Sequence, residues 1–321
     1  MYIDVFNGDA DGICSLLQLR LAQPVDSTLI TGVKRDISLL ARVRAQRGDQ
    51  VTVLDVSLDK NRPALLALLQ QSVDVLYFDH HQAGDIPQQP NLQAIIDTRA
   101  TICTGLLVNT YLNHQYSRWA IVAAFGDNLS ESALALAQQQ NLNVADCQQL
   151  QQLGVCLNYN GYGESEQDLH FPPAQLFRVL LNYPCPLQFI ADDPVVFRQL
   201  RDGYAVDMQL ARQIFPDYQA DHCAVYVLPD QKWARRVSGV WSNQLANQAP
   251  DKAHAVLSIR PDGDYVVSVR APLNQPWGAD VLCASFVSGG GRKAAAGINR
   301  LPASQLADFT KAFELQFKPT H

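Results

Sequence analysis

The sequence predicts a two-domain α/β protein. The expected first domain is a parallel sheet with helices on both faces, followed by a helical region. The expected second is a smaller α/β domain with a mixed sheet, the active site lying in the cleft between the two. Three observations carry this reading. Short apolar runs rich in β-branched residues alternate with helical-period segments near the N-terminus. The middle of the chain is mainly helical. A second strand-rich block, with an Asp-Gly turn, begins near His222.

The elements follow in order. "YIDVF" (2–6), "STLIT" (27–31), "VTVLDV" (51–56), "VDVLYFD" (73–79) and "LQAIID" (92–97) read as strands buried on both faces. Between them, "GICSLLQLRLA", "DISLLARVRAQ" and "NRPALLALLQQ" place apolar residues at helical spacing. Right-handed crossovers then bring the strand C-termini to one edge. Helices are expected at 102–113, 118–125, 131–139, 144–156, 173–182 and 194–214, with "NYNGYGESEQD" (158–168) as a surface loop. Pro216 follows the last of these and marks a boundary. The expected organisation is a first domain over 1–190, a linker helix over 191–221 and a second domain over 222–321. In the latter, 223–228, 253–259 and 265–271 read as strands. Residues 278–287 and 303–316 read as helices, separated by "SGGGRKAAAG".

Composition excludes several classes. With 47% hydrophobic and 17% charged residues the chain can bury a core and is not disordered. No apolar run approaches a membrane span, and "MYIDVFNGDADG" lacks the basic start and apolar stretch of a signal peptide, so a cytoplasmic protein without a membrane partner is expected. Its seven scattered cysteines, with no CxxC pair, are expected to be reduced and mostly buried. A net charge of −6 argues against tight, nonspecific binding of long nucleic acid. A short phosphate-bearing substrate in a local basic pocket remains compatible. Both a monomer and a homodimer are open.

Four acidic or histidine clusters carry the chemistry. Asp9 and Asp11 follow the first strand in "FNGDADGICS", and Asp55 ends the third in "VLDVS". Asp79, His80 and His81 end the fourth in "FDHH", and Asp127 follows an apolar run in "AAFGDN". Ligands of open parallel sheets bind beyond the strand C-termini, where three of these clusters fall. Each cluster has a plainer explanation alone: Asp9 and Asp11 as helix caps, Asp55 as a strand-end cap, the histidines as a core pair. "NGDADG" also begins like a calcium loop, but its twelfth position is Gln18 and a strand precedes it. An aspartyl phosphatase signature would need threonine at Ile13. All four clusters together, three of them at strand ends, are harder to explain without a cation.

The order D-x-D-G-x-x-S, strand-end Asp, Asp-His-His, Gly-Asp resembles the DHH phosphoesterase superfamily, which includes RecJ-type exonucleases, nanoRNases and cyclic dinucleotide phosphodiesterases. "VVSVRAP", "GADVLCASF" and "GGGRKAAAG" resemble the DHH-associated substrate domain. The resemblance implies a dinuclear site, usually of Mn²⁺, with Mg²⁺ possible. Asp9 would hold the first metal, Asp11, His80 and Asp127 the second, and Asp55 would bridge them. His81 would orient the substrate phosphate, and Asp79 would orient a histidine. Carboxylates with an imidazole independently suit Mn²⁺ or Mg²⁺. In the second domain, Ser268, Arg270, Gly289, Gly290, Gly291 and Arg292 would contact substrate. Glycine N–H groups can form an anion-binding turn, and arginine can clamp phosphate bidentately. The plainer alternatives are an exposed edge-strand Arg270 and a flexible hinge at the glycines. In "KWARRVSG" (232–239) the basic and aromatic residues read as a solvated helix face in preference to a base-stacking surface.

Three departures stand out. Val5 and Asn7 occupy positions where family members carry a metal-binding histidine or aspartate, and Arg292 replaces the usual histidine after the triple glycine. The expected activity is metal-dependent hydrolysis of short oligonucleotides, down to dinucleotides, to mononucleotides. The alternatives are a cyclic (di)nucleotide phosphodiesterase, a RecJ-like single-strand exonuclease and a catalytically weakened nucleotide-binding sensor.

Overall fold

A computed structural model describes residues 1–319. Among these, the chain separates into two compact units, Met1–Arg201 and the residues from Asp202 onward.

The first unit begins with β1 (Tyr2–Phe6), α1 (Ala10–Ala22), β2 (Ser27–Ile30), β3 (Gln50–Leu54), α2 (Leu58–Gln70), β4 (Asp74–Asp79) and β5 (Leu92–Ile96). All five strands are parallel, in the order β2-β1-β3-β4-β5. The order reverses beside β1, which creates the crevice where such sheets take ligands. Pairing sets Phe6 beside Leu54 and Leu54 beside Phe78, so the chain leaves the sheet at Asn7, Asp55 and, just after Asp79, His80 along one edge.

On one face Ile3, Val5, Val53, Val75 and Tyr77 pack with Leu58, Leu65 and Leu69 of α2 in an apolar core. Towards α1, the buried Asp4 of β1 receives Arg20 Nε at 2.8 Å and Ser27 Oγ at 2.6 Å, and Arg20 Nη2 reaches Thr52 Oγ1 at 3.2 Å. A buried carboxylate tolerates this position only because donors surround it.

Two local expectations differ from the structure. "DISLLARVRAQ" forms a short 3₁₀ turn, Leu39–Arg42, not an α-helix. Asn61 of α2 supplies the reason: its Oδ1 accepts from Leu40 N at 3.2 Å and its Nδ2 donates to Ile37 O at 2.6 Å. These bonds satisfy backbone groups that an α-helix would pair internally. The third strand stops at Leu54 because Asp55 adopts a left-handed conformation, with φ of 56°.

Helices α3 (Thr104–Tyr111), α4 (Ser117–Gly126), α5 (Ser130–Gln139), α6 (Val144–Asn160), α7 (Pro173–Leu180), α8 (Pro186–Ala191) and α9 (Val195–Ala211) follow. α6 runs further than its apolar period suggests, and the unit boundary falls inside α9. Tight packing holds α4 against α1 and α6. A Cβ on Gly126 would lie 2.3 Å from Ala10 Cβ, and one on Gly154 would lie 2.4 Å from Val122 O.

The second unit adds β6 (Tyr218–Gln219), β7 (Cys223–Leu228), α10 (Lys232–Gln248), β8 (Ala253–Ile259), β9 (Tyr265–Arg270), α11 (Ala279–Ala284), β10 (Gly289–Gly291), β11 (Ala295–Leu301) and α12 (Leu306–Phe317). Its mixed sheet runs β10-β11-β9-β8-β7-β6, with β7 and β8 the parallel pair. The Asp-Gly turn joins β8 to β9 as expected, with Gly263 at φ of 88°. "GGGRKAAAG" is not a loose connection: it forms the β10–β11 hairpin. The seven cysteines are free thiols, and all but Cys185 are buried. No helix among the described residues is long and apolar enough to cross a membrane.

Candidate metal centre

Most of the predicted residues of the first unit meet at the C-terminal edge of the parallel sheet. Asp9 caps α1, accepting from Gly12 N at 3.1 Å. Asp11 lies in the first turn of α1 and accepts from Thr104 N at 2.8 Å and Gly105 N at 2.7 Å, the amides that open α3. Those N–H groups carry the positive end of a helix and suit a buried anion.

His80 defines the centre. Its Nδ1 lies 2.8 Å from Ile102 O, which orients the ring and turns Nε2 inward. That Nε2 is 3.3 Å from Asp55 Oδ1 and 3.8 Å from Asp11 Oδ2. Asp127 Oδ2 lies 3.9 Å from His80 Nδ1. An imidazole nitrogen and two buried carboxylates thus converge, a donor set suited to a cation. Asp55 Oδ1 is buried with no hydrogen-bond donor. Ligand atoms of Asp55, His80 and His81 lie within 4.8 Å of one another. This oxygen-and-imidazole set fits a hard divalent ion such as Mn²⁺.

Electrostatics agrees. Burial drives the Asp55 carboxyl well above its ordinary pKa, and the charges of Asp9 and Asp11 add to the effect. Burial likewise raises Asp11, opposed in part by His80. A dication would remove this strain by pairing the charges directly.

Asp79 is completely buried and organises both histidines. Its Oδ1 accepts from His80 N at 2.8 Å and from His81 Nδ1 at 2.7 Å, and its Oδ2 accepts from Leu58 N at 3.4 Å. Burial works against protonated His81, but Asp79 outweighs it and raises the imidazole pKa. The His81 side chain is 36% exposed, so a ligand can reach it.

Asp9 stands apart from this set. Its Oδ2 is paired with the ammonium of Lys34, which also donates to Asn158 Oδ1 at 3.1 Å and lies 4.0 Å from Asp127 Oδ1. The Lys34 ammonium sits 5.6 Å from the centre of the Tyr162 ring. Burial disfavours its charge, yet Asp9 first, then Tyr162, Asp127 and Asp55, hold its pKa above the ordinary lysine value. The residues around Asp9 therefore fit an ammonium, not the first metal that the family resemblance implies. Val5, fully buried in the apolar core, offers no ligand. Asn7 Nδ2 donates to Lys34 O at 3.2 Å. Sequence reasoning missed Lys34, Asn158 and Tyr162. The available signal was that "TGVKRD" (31–36) follows a strand end.

In the second unit, pairing sets Arg270 opposite Ala295, at the end of the hairpin whose turn holds Arg292. Arg270 Nε donates to Asn243 Oδ1 at 2.7 Å. Ser268 is buried on the same strand, opposite Gly297. Gly289 and Gly291 have packing reasons to be glycine: added Cβ atoms would lie 1.8 Å from Cys283 O and 2.5 Å from Ala296 Cα. Gly290 faces open space. On α10, Arg235 pairs with Asp230, and Arg236 Nε reaches Asp207 Oδ2 at 2.7 Å.

No family model matches the sequence, and no curated protein matches it. Solved structures do. A manganese-bound exonuclease RecJ is 16% identical over 99% of this chain and 91% of its own, with a TM-score of 0.59. RecJ from Thermus thermophilus, in complex with Mn²⁺, is 17% identical over 98% of this chain and 51% of its own, at 0.56. The pGpG-specific phosphodiesterase PggH from Vibrio cholerae is 13% identical over 99% of both chains, at 0.53. This chain shares the α/β fold of these structures. Within that fold the strand-end clusters of Asp9, Asp11, Asp55, Asp79, His80 and His81 come from the first unit, and Ser268, Arg270 and Arg292 from the second.

Proposed function

We propose that the chain is a Mn²⁺-dependent phosphodiesterase that hydrolyses short oligonucleotides, down to dinucleotides, to mononucleotides. One observation carries this: the inward Nε2 of His80 faces buried carboxylates of Asp55 and Asp11, an arrangement that calls for a divalent cation. Two RecJ structures of the same fold hold manganese, and PggH acts on a dinucleotide, which supports the reaction class.

Asp11, Asp55 and His80 would hold the ion, with Asp127 alongside. When bound, Mn²⁺ supplies Lewis acidity that polarises a phosphoryl oxygen and lowers the pKa of attacking water. Asp79 fixes the ring of His81 and favours its protonated form. His81 then donates a charge-assisted hydrogen bond to the scissile phosphate. Arg270, Arg292, Ser268 and the Gly289–Gly291 backbone are the proposed contacts for the remaining phosphate and base. The net charge of −6 favours short substrates over long strands.

The test is to strip the protein with EDTA, restore Mn²⁺ and assay a panel of RNA and DNA from di- to decanucleotides, with cyclic dinucleotides beside them. Hydrolysis fastest on the shortest linear members is expected. No turnover in saturating Mn²⁺ refutes the proposal. Preference for the cyclic members would make the chain a cyclic dinucleotide phosphodiesterase, and rates rising with length would make it RecJ-like. The lysine on Asp9 favours one second reading, a nucleotide-binding sensor, which predicts ligand binding without turnover.

A further inference from the structure

We propose that this centre takes one divalent ion, not two, and that the Lys34 ammonium is a built-in cation holding the place beside Asp9. The inference rests on the proposed reading of the His80 cluster as a metal site.

Three observations support it. First, the ammonium already has the donors a second ion would need. It pairs with Asp9, donates to Asn158 Oδ1 at 3.1 Å and lies 4.0 Å from Asp127 Oδ1. An ammonium and a divalent ion cannot share one carboxylate oxygen without strong repulsion.

Second, the lysine is not a surface side chain that has folded inward by chance. Its backbone is fastened on both sides: Lys34 N donates to Gly161 O at 2.8 Å, and Lys34 O accepts from Asn7 Nδ2 at 3.2 Å. The preceding chain is equally confined, since a Cβ on Gly8 would lie 1.9 Å from Gly32 O. Asn7 Nδ2 thus clamps the lysine loop, while its Oδ1 is buried without a hydrogen-bond donor.

Third, the neighbouring positions add no anionic ligand, since the buried Asn7 Oδ1 is a neutral carbonyl oxygen. Val5 is fully buried among apolar side chains, and Asn7 has no negative charge to contribute. A dication at Asp9 would have the Lys34 ammonium against it. At the other end of the centre, Asp11, Asp55 and His80 still face one another.

The chemical consequence is a centre with one exchangeable and one permanent positive charge. Lys34, with its side chain 24% exposed, can meet a phosphate oxygen directly. The permanent charge assists phosphate binding before any metal arrives.

Mn²⁺ bound per full-length chain decides the question, measured by isothermal titration and by electron paramagnetic resonance after EDTA stripping. Wild type is expected to take up one ion. Lys34→Ala is expected to take up a second, because Asp9, Asn158 and Asp127 are then released. Should Lys34→Ala fail to fold with Asp9 unpaired, Asp9→Asn decides: it is expected to keep one ion, since Asp9 holds none. Two ions on wild type, a folded Lys34→Ala that stays at one, or an Asp9→Asn that loses an ion would each overturn the inference. Wild type binding no Mn²⁺ would instead overturn the proposed function, so the two failures are distinguishable.

Discussion

Asp55→Asn should make the metal-free protein more stable and the enzyme nearly inactive. Asp55 is 3% exposed, sits at φ of 56°, and leaves Oδ1 without a donor. Asparagine tolerates that left-handed backbone as well as aspartate does, so the substitution adds no strain. What it removes is a buried charge that burial and the charges of Asp9 and Asp11 all disfavour. Relief of this kind is worth about 1 kcal/mol. For a unit the size of Met1–Arg201 that raises the metal-free Tm by about 2–4 °C. Mn²⁺ at a hundred times its Kd should add about 2.7 kcal/mol to the wild type. The corresponding Tm rise is about 5–10 °C. The variant should lose most of that rise, and its turnover should fall about a thousandfold, roughly 4 kcal/mol of barrier. Scanning fluorimetry of both proteins in EDTA and in Mn²⁺ reads the two effects together. A metal-free variant less stable than wild type, or one with an undiminished Mn²⁺ shift, would refute the argument.

Other perturbations test separate parts of the molecule. Arg20→Leu leaves Asp4 buried without its partner and should cost about 3–5 kcal/mol in urea unfolding, whereas pairing it with Asp4→Asn should recover most of the loss. Burial, then Lys252, hold the His254 imidazole down at about 4, against 6.5 in the unfolded chain. The unfolded chain therefore takes up the proton first, and stability falls as pH drops through 6.5 towards 4. Between pH 7 and pH 5 the second unit should lose about 2 kcal/mol, and His254→Gln should flatten that slope. Arg270→Ala should raise KM and lower kcat/KM on dinucleotides if it makes the proposed charge-assisted phosphate contact, and an unchanged KM would make Arg270 structural.

The central strands β1, β3 and β4 were legible because a strand buried on both faces needs a continuous apolar run; β2 and β5, expected to be equally buried, are half-exposed edge strands. The same feature exposed Asp55, Asp79, His80 and His81, since a charged residue just after such a run must lie at the sheet edge. Local reading failed where the deciding partner is distant. The 35–45 segment has helical spacing, yet Asn61 of α2 satisfies its backbone instead. Gly289 and Gly291 read from sequence as a loose, glycine-rich connection, yet they pair in a hairpin where Cys283 and Ala296 leave no room for a Cβ.

The sequence by itself determined the strand–helix alternation, the edge on which the acidic groups emerge and the donor chemistry suited to a hard cation, because these follow from periodicity and residue type over a few neighbouring positions. Only the tertiary structure decided which charges face one another. It turned His80 Nε2 towards Asp55, set Asp79 beneath His81 and brought Lys34 to Asp9, because these contacts join segments that no local spacing relates and their energies depend on distance and burial.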